Sequence, residues 1–223
     1  MTQMNITKRL ALYCMGLFFL SLGVSISIQA GLGVSPVSSL PVAGSLTTGI
    51  SVGATTVLAN VLFIIVQVIL NKRIEIREFA VQLMVAFLFG FFMDVTLFIV
   101  QLLPTPETIV VRVLYLIVSL FILPAGLCGY FKAKLPLMPY DALTYVISER
   151  FRLKFSRAKI TSDLINVVVA GLVCLIFIQS LGSIGIGTLI AAYFNGKILG
   201  WMLANYERIF GQWVFKSDSQ VEA

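Results

Sequence analysis

Two halves of this chain echo one another at an offset of 103 to 106 residues, and both are written in membrane-spanning residues. Gly23-Val-Ser-Ile-Ser-Ile-Gln29 returns as Gly126-Leu-Cys-Gly-Tyr-Phe-Lys132, and Pro36-Val-Ser-Ser-Leu40 as Pro139-Tyr-Asp-Ala-Leu143. Thr55-Thr-Val-Leu-Ala-Asn-Val61 matches Thr161-Ser-Asp-Leu-Ile-Asn-Val167 in Thr, Leu, Asn and Val, and Gly90-Phe-Phe92 sits where Ala192-Tyr-Phe194 sits. Each half carries three hydrophobic segments. An odd number of spans per copy makes the second copy enter from the opposite side, which is the inverted-repeat plan of many transporters.

A span needs about 20 apolar residues to cross ~30 Å of hydrocarbon. Six such segments are read at 10–30, 54–71, 79–103, 109–131, 160–179 and 184–205. Charged residues make up only 12% of the chain, about half the share of a soluble domain, so the chain is expected to be an all-α integral membrane protein. The repeats divide it into 1–103 and 104–206, followed by a tail at 207–223. The N-terminal segment resembles a signal peptide in having Lys8-Arg9 before an apolar run. That run is longer than the usual ~7–15 residues and has an internal counterpart, so it is expected to stay as the first span.

The net charge of +6 is explained by topology rather than by a nucleic-acid partner. Of 16 basic residues, 14 lie before span 1, between spans 2 and 3, between spans 4 and 5, or after span 6; Arg112 and Lys197 are the two others. This one-sided pattern predicts cytoplasmic N- and C-termini. Cys14, Cys128 and Cys174 lie inside spans without metal or redox spacing, and the chain has no histidine. The commonest general base and metal ligand is therefore missing, and neither an enzyme nor a cofactor site is expected.

The polar residues within this apolar background are the candidate functional residues. The uncharged segment 31–53 holds Ser35 before Pro36, and a Ser-Pro pair is a good helix start: Ser can accept the first free N–H groups and Pro has no N–H to leave unpaired. A short helix of roughly ten residues follows, which Pro41 would end or kink. The second copy opens at Pro139-Tyr140-Asp141. It is either an amphipathic helix on the membrane surface, with Tyr140 and Tyr145 at headgroup level, or a half-helix whose start points into the protein. Asp94 and Lys197 lie well inside spans, where a charge costs at least ~2.5–3.5 kcal/mol and calls for a cavity or a partner. Aligning Phe92 with Phe194 places them at nearly equivalent positions, so an Asp94–Lys197 ion pair is the expectation, against Lys197 snorkelling to the headgroups. If transport is proton-coupled, Asp94 is also the expected proton carrier. Asn60 and Asn166 are matched amides that either join helices or line a path, and Asp163 is placed at the interface. With Ser35, Ser38, Tyr140, Asp141, Asn195 and Thr188, these residues form the candidate pathway for a small solute or ion.

Gly31-Leu-Gly-Val-Ser-Pro36, Gly49-Ile-Ser-Val-Gly53, Gly90 with Asp94, and Gly185-Ile-Gly-Thr188, in that order, resemble the YitT/YczE-type bacterial membrane proteins. The resemblance spans the whole membrane region and implies a six-span inner-membrane protein with a suspected transport role. Relatives of that type often carry an aromatic-Asp pair after the first-repeat proline. Here Val37 and Ser38 stand at that place, and only the second copy keeps the pair, as Tyr140-Asp141. A small-solute transporter working between the repeats is expected; the alternative is a membrane scaffold or accessory subunit. The bilayer is the expected partner, with self-association into a homo-oligomer left open.

Overall fold

The computed structural model describes residues 5–71 and 76–206. The basic residues Lys72, Arg73, Arg208 and Lys216 and the tail at 207–223 lie outside the described residues. Among the described residues eight helices follow one another: α1 (Ile6–Ala30), α2 (Pro36–Thr48), α3 (Val52–Asn71), α4 (Ile76–Gln101), α5 (Ile109–Lys132), α6 (Pro139–Arg150), α7 (Phe155–Ile178) and α8 (Ile186–Ala204). No strand occurs among the described residues. Six of the helices are long and apolar enough to span a bilayer, and they fall within five residues of the segments read from the sequence. At ~1.5 Å per residue, α8 with 19 residues reaches about 28 Å and α1 with 25 about 38 Å.

The two remaining helices, α2 and α6, are short and begin at Pro36 and Pro139. Proline suits the first helical position because its φ is preset and it has no N–H to leave unpaired. Gly31 (φ 64°) ends α1 and Gly49 (φ 73°) ends α2, both in the left-handed region that glycine enters without strain. Pro41 was expected to end or kink α2, yet the helix runs on to Thr48. Proline leaves the carbonyl four residues earlier, that of Val37, without its helical donor. Asn166 of α7 supplies one through Nδ2, at 3.3 Å.

The centre of the bundle is the crossing of α1 with α5. Gly16 and Gly23 on α1 face Gly126, Leu123 and Tyr130 on α5 with backbone against backbone. A Cβ at Gly16 would lie 2.5 Å from the Tyr130 nitrogen, and one at Gly23 2.6 Å from that of Leu123. Lipid tails are as apolar as these side chains, so close dispersion contact rather than water exclusion holds such helices together. Around this axis α4 packs on α1 and α8 on α5, while α2 and α6 each lie between α3 and α7. The short helix of one half therefore rests on the second long helix of the other half.

The polar ends are pinned by a few hydrogen bonds. Arg9 at the start of α1 donates to the carbonyls of Ala133 (2.8 Å) and Lys134 beyond α5, and the Tyr13 hydroxyl donates to that of Pro136 (2.7 Å). Gln67, near the end of α3, reaches Pro139 at the start of α6. Lys132 lies over the Tyr206 ring beyond α8, and Lys159 of α7 meets Asp141 of α6. These contacts gather the described basic segments at one end of the bundle, which is here termed the basic end. Arg112 is at the other, where it bonds the Pro106 carbonyl.

Because the glycine contacts are made to backbone, a side chain there cannot be relieved by turning a neighbour. Gly16→Val and Gly23→Val should each cost about 1–3 kcal/mol or more and lower the yield of folded protein in detergent. Gly200→Val, on α8, where an added Cβ meets nothing within 4 Å, should leave yield and melting temperature nearly unchanged.

Candidate functional site

The starts of α2 and α6 meet the middle of α3 and α4 at a buried cavity. Val37, Ser38 and Pro41 line it from α2, Thr56, Asn60 and Phe63 from α3, Phe89 from α4, and Met138 and Tyr140 from the α6 start. It offers about 10 Å³ to the centre of a water molecule, enough for a single water. Asn60 is only 4% exposed. Its Nδ2 donates to its own Thr56 carbonyl at 2.9 Å, and its Oδ1 has no partner. A buried amide oxygen without a donor costs about 1–3 kcal/mol, so a water or solute N–H or O–H would be stabilised there.

Both short helices are fixed by amides from the opposite half. Asn166 Nδ2 donates to the carbonyl of Pro36 (2.6 Å) as well as to that of Val37. Gln67 Nε2 donates to that of Pro139 at 2.9 Å. Gln67 and Gln82 also exchange a pair of amide hydrogen bonds, of 3.1 and 3.2 Å, and Glu78 accepts a further one from Gln82. Neither N-cap side chain closes its helix. Ser35 was expected to accept from the first free N–H groups of α2. Instead its hydroxyl is paired with Asn195 Nδ2 of α8 at 3.5 Å, and its carbonyl accepts from the amide and hydroxyl of Ser38. Asn195 Oδ1 is buried without a partner.

A second polar cluster adjoins the cavity through Tyr140. Asp141, in the first turn of α6, is 0% exposed. Lys159 Nζ lies 3.5 Å from Asp141 Oδ1, 3.2 Å from Asp163 Oδ1 and 4.1 Å from the centre of the Tyr140 ring. The Tyr140 hydroxyl donates to Asp163, and the ring packs on Phe63. Burial pushes the Asp141 carboxyl above the usual carboxylate range; Lys159 pulls it part of the way back, and Asp163 adds to the rise. Burial, followed by the Asp163 charge, also holds the Tyr140 hydroxyl well above its usual range, so it remains a donor. The start of α6 is buried while Tyr145 is exposed, so of the two placements open for this segment the inward-pointing one is found.

On the basic-end side a wider vestibule of about 270 Å³ is lined by Gln67, Asn71, Glu78 and Gln82 of α3 and α4 and by Ala142, Tyr145 and Glu149 of α6. Along α3 and α4 the Gln67–Gln82 pair lies between this vestibule and the cavity at Asn60. Away from the basic end the loops 31–34 and 182–187 seal the bundle: Val34 donates to the Ser183 carbonyl (3.0 Å) and Gly187 to that of Leu32 (2.7 Å). Thr188 belongs to this seal, accepting the Gly185 N–H at 3.2 Å.

Asp94 and Lys197 do not pair. Asp94 accepts from the Gly53 N–H (2.7 Å) and the Ser51 hydroxyl (2.8 Å), which makes it a cap for the start of α3. Lys197 is exposed, with its ammonium 4.0 Å from the Tyr193 ring centre and bonded to that hydroxyl. Matching the repeats along the sequence fixed the two residues' depth but not the helix faces from which they project. Gln67, Gln82 and Lys159 were not among the residues singled out from sequence, and Asp163 was placed at the interface. The available signal was a glutamine within each of the second and third spans, Gln67 and Gln82.

Asn166 carries two carbonyls that have no other donor from outside α2. Asn166→Leu should lower stability by about 1–3 kcal/mol in detergent unfolding, whereas Asn60→Leu, which frees no second group, should be near neutral.

The chain matches, over residues 7–204, the family described as "Family of unknown function (DUF6198)", and it belongs to that family. It is similar to "Uncharacterized protein YyaS" of Bacillus subtilis (strain 168), with 30% identity over 200 residues that cover 89% of this chain and 94% of that protein. No solved structure matches it. Neither match carries the YitT/YczE name that the glycine motifs suggested.

Proposed function

We propose that this DUF6198 protein moves a small solute or ion across the membrane, through a site where two inverted three-span repeats, 1–103 and 104–206, meet. The observation that carries the proposal is the convergence of two proline-started short helices on one buried cavity that holds an unpartnered Asn60 oxygen. Discontinuous helices ending near the middle of a bundle are a means of presenting backbone groups to a solute without exposing them to lipid.

Support for the repeat comes from reciprocal contacts. Gly23 lies against Leu123, and Gly126, its counterpart at an offset of 103, lies against Leu20, the counterpart of Leu123. A two-fold axis requires such exchange, in which the partner of one residue is the mate of the other's partner. The exchange of α2 onto α7 and α6 onto α3 has the same form.

In this conformation the vestibule opens at the basic end, the Gln67–Gln82 pair and the Phe63–Tyr140 contact close its floor, and the seal at Gly33 and Gly185 closes the far side. Breaking the amide pair would join vestibule and cavity; parting the loops would open the other side. Alternation of the two gives access from each face in turn. On this reading the positive-inside rule puts the basic end in the cytoplasm, and the Bacillus subtilis relative favours a bacterial cytoplasmic (inner) membrane. A scaffold or accessory subunit is favoured by one fact, the single-water size of the cavity.

Cysteine access separates the two. With Cys14, Cys128 and Cys174 replaced by Ala, Ser38→Cys should react with a small membrane-impermeant thiol reagent, faster when Gln67→Ala is added. Glu107→Cys should react from outside the cell and Lys154→Cys only after the membrane is opened. An inert Ser38→Cys in both backgrounds would leave the scaffold as the better description.

A further inference from the structure

The cluster around Lys159 contains two carboxylates and one ammonium. Asp141 is wholly buried, and Lys159 and Asp163 are 16% and 18% exposed at their side chains. With all three ionised the cluster holds one negative charge without a partner. The two carboxylates are not equally served. Asp163 has Lys159 at 3.2 Å and the Tyr140 hydroxyl as a donor. Asp141 has Lys159 at 3.5 Å on Oδ1, and its Oδ2 has no partner among the described residues. The charge that is least supported is therefore that of Asp141.

We propose that Asp141 is a reversible proton-binding site, which takes one proton on Oδ2 and thereby neutralises the cluster it forms with Lys159 and Asp163. One O–H bond forms, the proton comes from water at the basic-end vestibule that Ala142, its neighbour, helps to line, and Lys159 keeps its charge throughout. The assignment of this proton to transport rests on the function proposed above; the binding of the proton does not.

The surroundings of Asp141 leave the proton as the means of balance. From α7 it faces Lys159 and Asp163, and from its own helix Tyr140. Tyr13 of α1 and Tyr130 of α5 contribute hydroxyls that interact with its charge. On α3 the nearby polar group is the neutral Gln67, and on α4 Glu78 is engaged with Gln82. The α6 start itself favours a negative charge in its first turn, but that effect is small beside complete removal from water. Tyr140 joins the cluster to the cavity: it lines the cavity with Phe63 and bonds Asp163, so the charge on the cluster can bias how the α6 start sits there.

Infrared titration of the purified protein in lipid nanodiscs reads the proton directly. A carboxylic-acid C=O band should persist above the ordinary carboxylate range of about 4, fade at higher pH, and be absent in Asp141→Asn. Lys159→Met, by removing the one positive charge, should move the band's midpoint to higher pH, and Asp163→Asn should move it lower. Stability follows with a definite sign. A carboxyl whose folded-state affinity for protons is raised adds stability that is fully present below about pH 4 and is lost as pH rises through its folded midpoint. The wild-type melting temperature should therefore fall across that window relative to Asp141→Asn. Should Asp141→Asn fail to fold, the opposite shifts in Lys159→Met and Asp163→Asn decide the matter.

A band that titrates near 4, or that survives Asp141→Asn, overturns the site. So does a band that appears when choline replaces sodium and is suppressed by sodium at constant pH, since a metal cation would then supply the missing charge. A titrating band in a protein whose Ser38→Cys never reacts upholds the proton site and removes the transport function; a reactive Ser38→Cys without the band does the reverse.

Discussion

The donation of side-chain amides to the carbonyls of Pro36, Val37 and Pro139 is the interaction on which the interior of this protein depends. Pro41 leaves the Val37 carbonyl without its helical donor, and in the middle of a membrane protein each unpaired backbone group is costly. Asn166 and Gln67 supply donors from the half of the chain to which the short helix does not belong. The Asn166 bond to Val37 thus satisfies the backbone, and all three bonds tie the halves together. Pro41 shows the economy of the arrangement: the carbonyl it leaves free is one that Asn166 reaches, so a helix-breaking residue is carried within α2 without a break.

Close approach of α1 and α5 sets the geometry in which those amides can reach. Glycines at 16, 23 and 126 let the two backbones touch, which brings α3 and α7 near enough to hold both short helices between them. The closest backbone contacts are therefore at the centre, beside the buried Tyr13 and Tyr130, while many other aromatic side chains face outward. Phe87, Phe91 and Phe98 of α4 and Phe177 of α7 suit a hydrocarbon surroundings rather than water.

Spans, short helices and the proline starts were legible because each rests on a local rule: hydrophobic length, or a proline at the first helical position. Asn166 was legible as an amide in an apolar span. The pairing of Asp94 with Lys197 was not, because a repeat alignment gives height along the helix while a contact also needs direction around it. Asp94 turns to the start of α3 and Lys197 to Tyr193 one turn away. Gln67 and Gln82 escaped notice because attention to ionisable residues passes over neutral amides, although a buried amide needs partners for the same reason. Lys159 read as one more cation of a cytoplasmic run; only the fold brings it in from that run to two carboxylates.

The two halves are unequal in their chemistry. At the first proline start stand Val37 and Ser38, and at the second Tyr140 and Asp141, so one short helix is neutral and the other charged. Under the proposed function this unequal charge has a physical consequence. Protonating Asp141 changes the field at the α6 start only, while the α2 start remains held by neutral bonds from Asn166. A change of charge therefore acts on one half against the other, which is the asymmetry the proposed two-fold arrangement needs if its two closures are to be released one at a time.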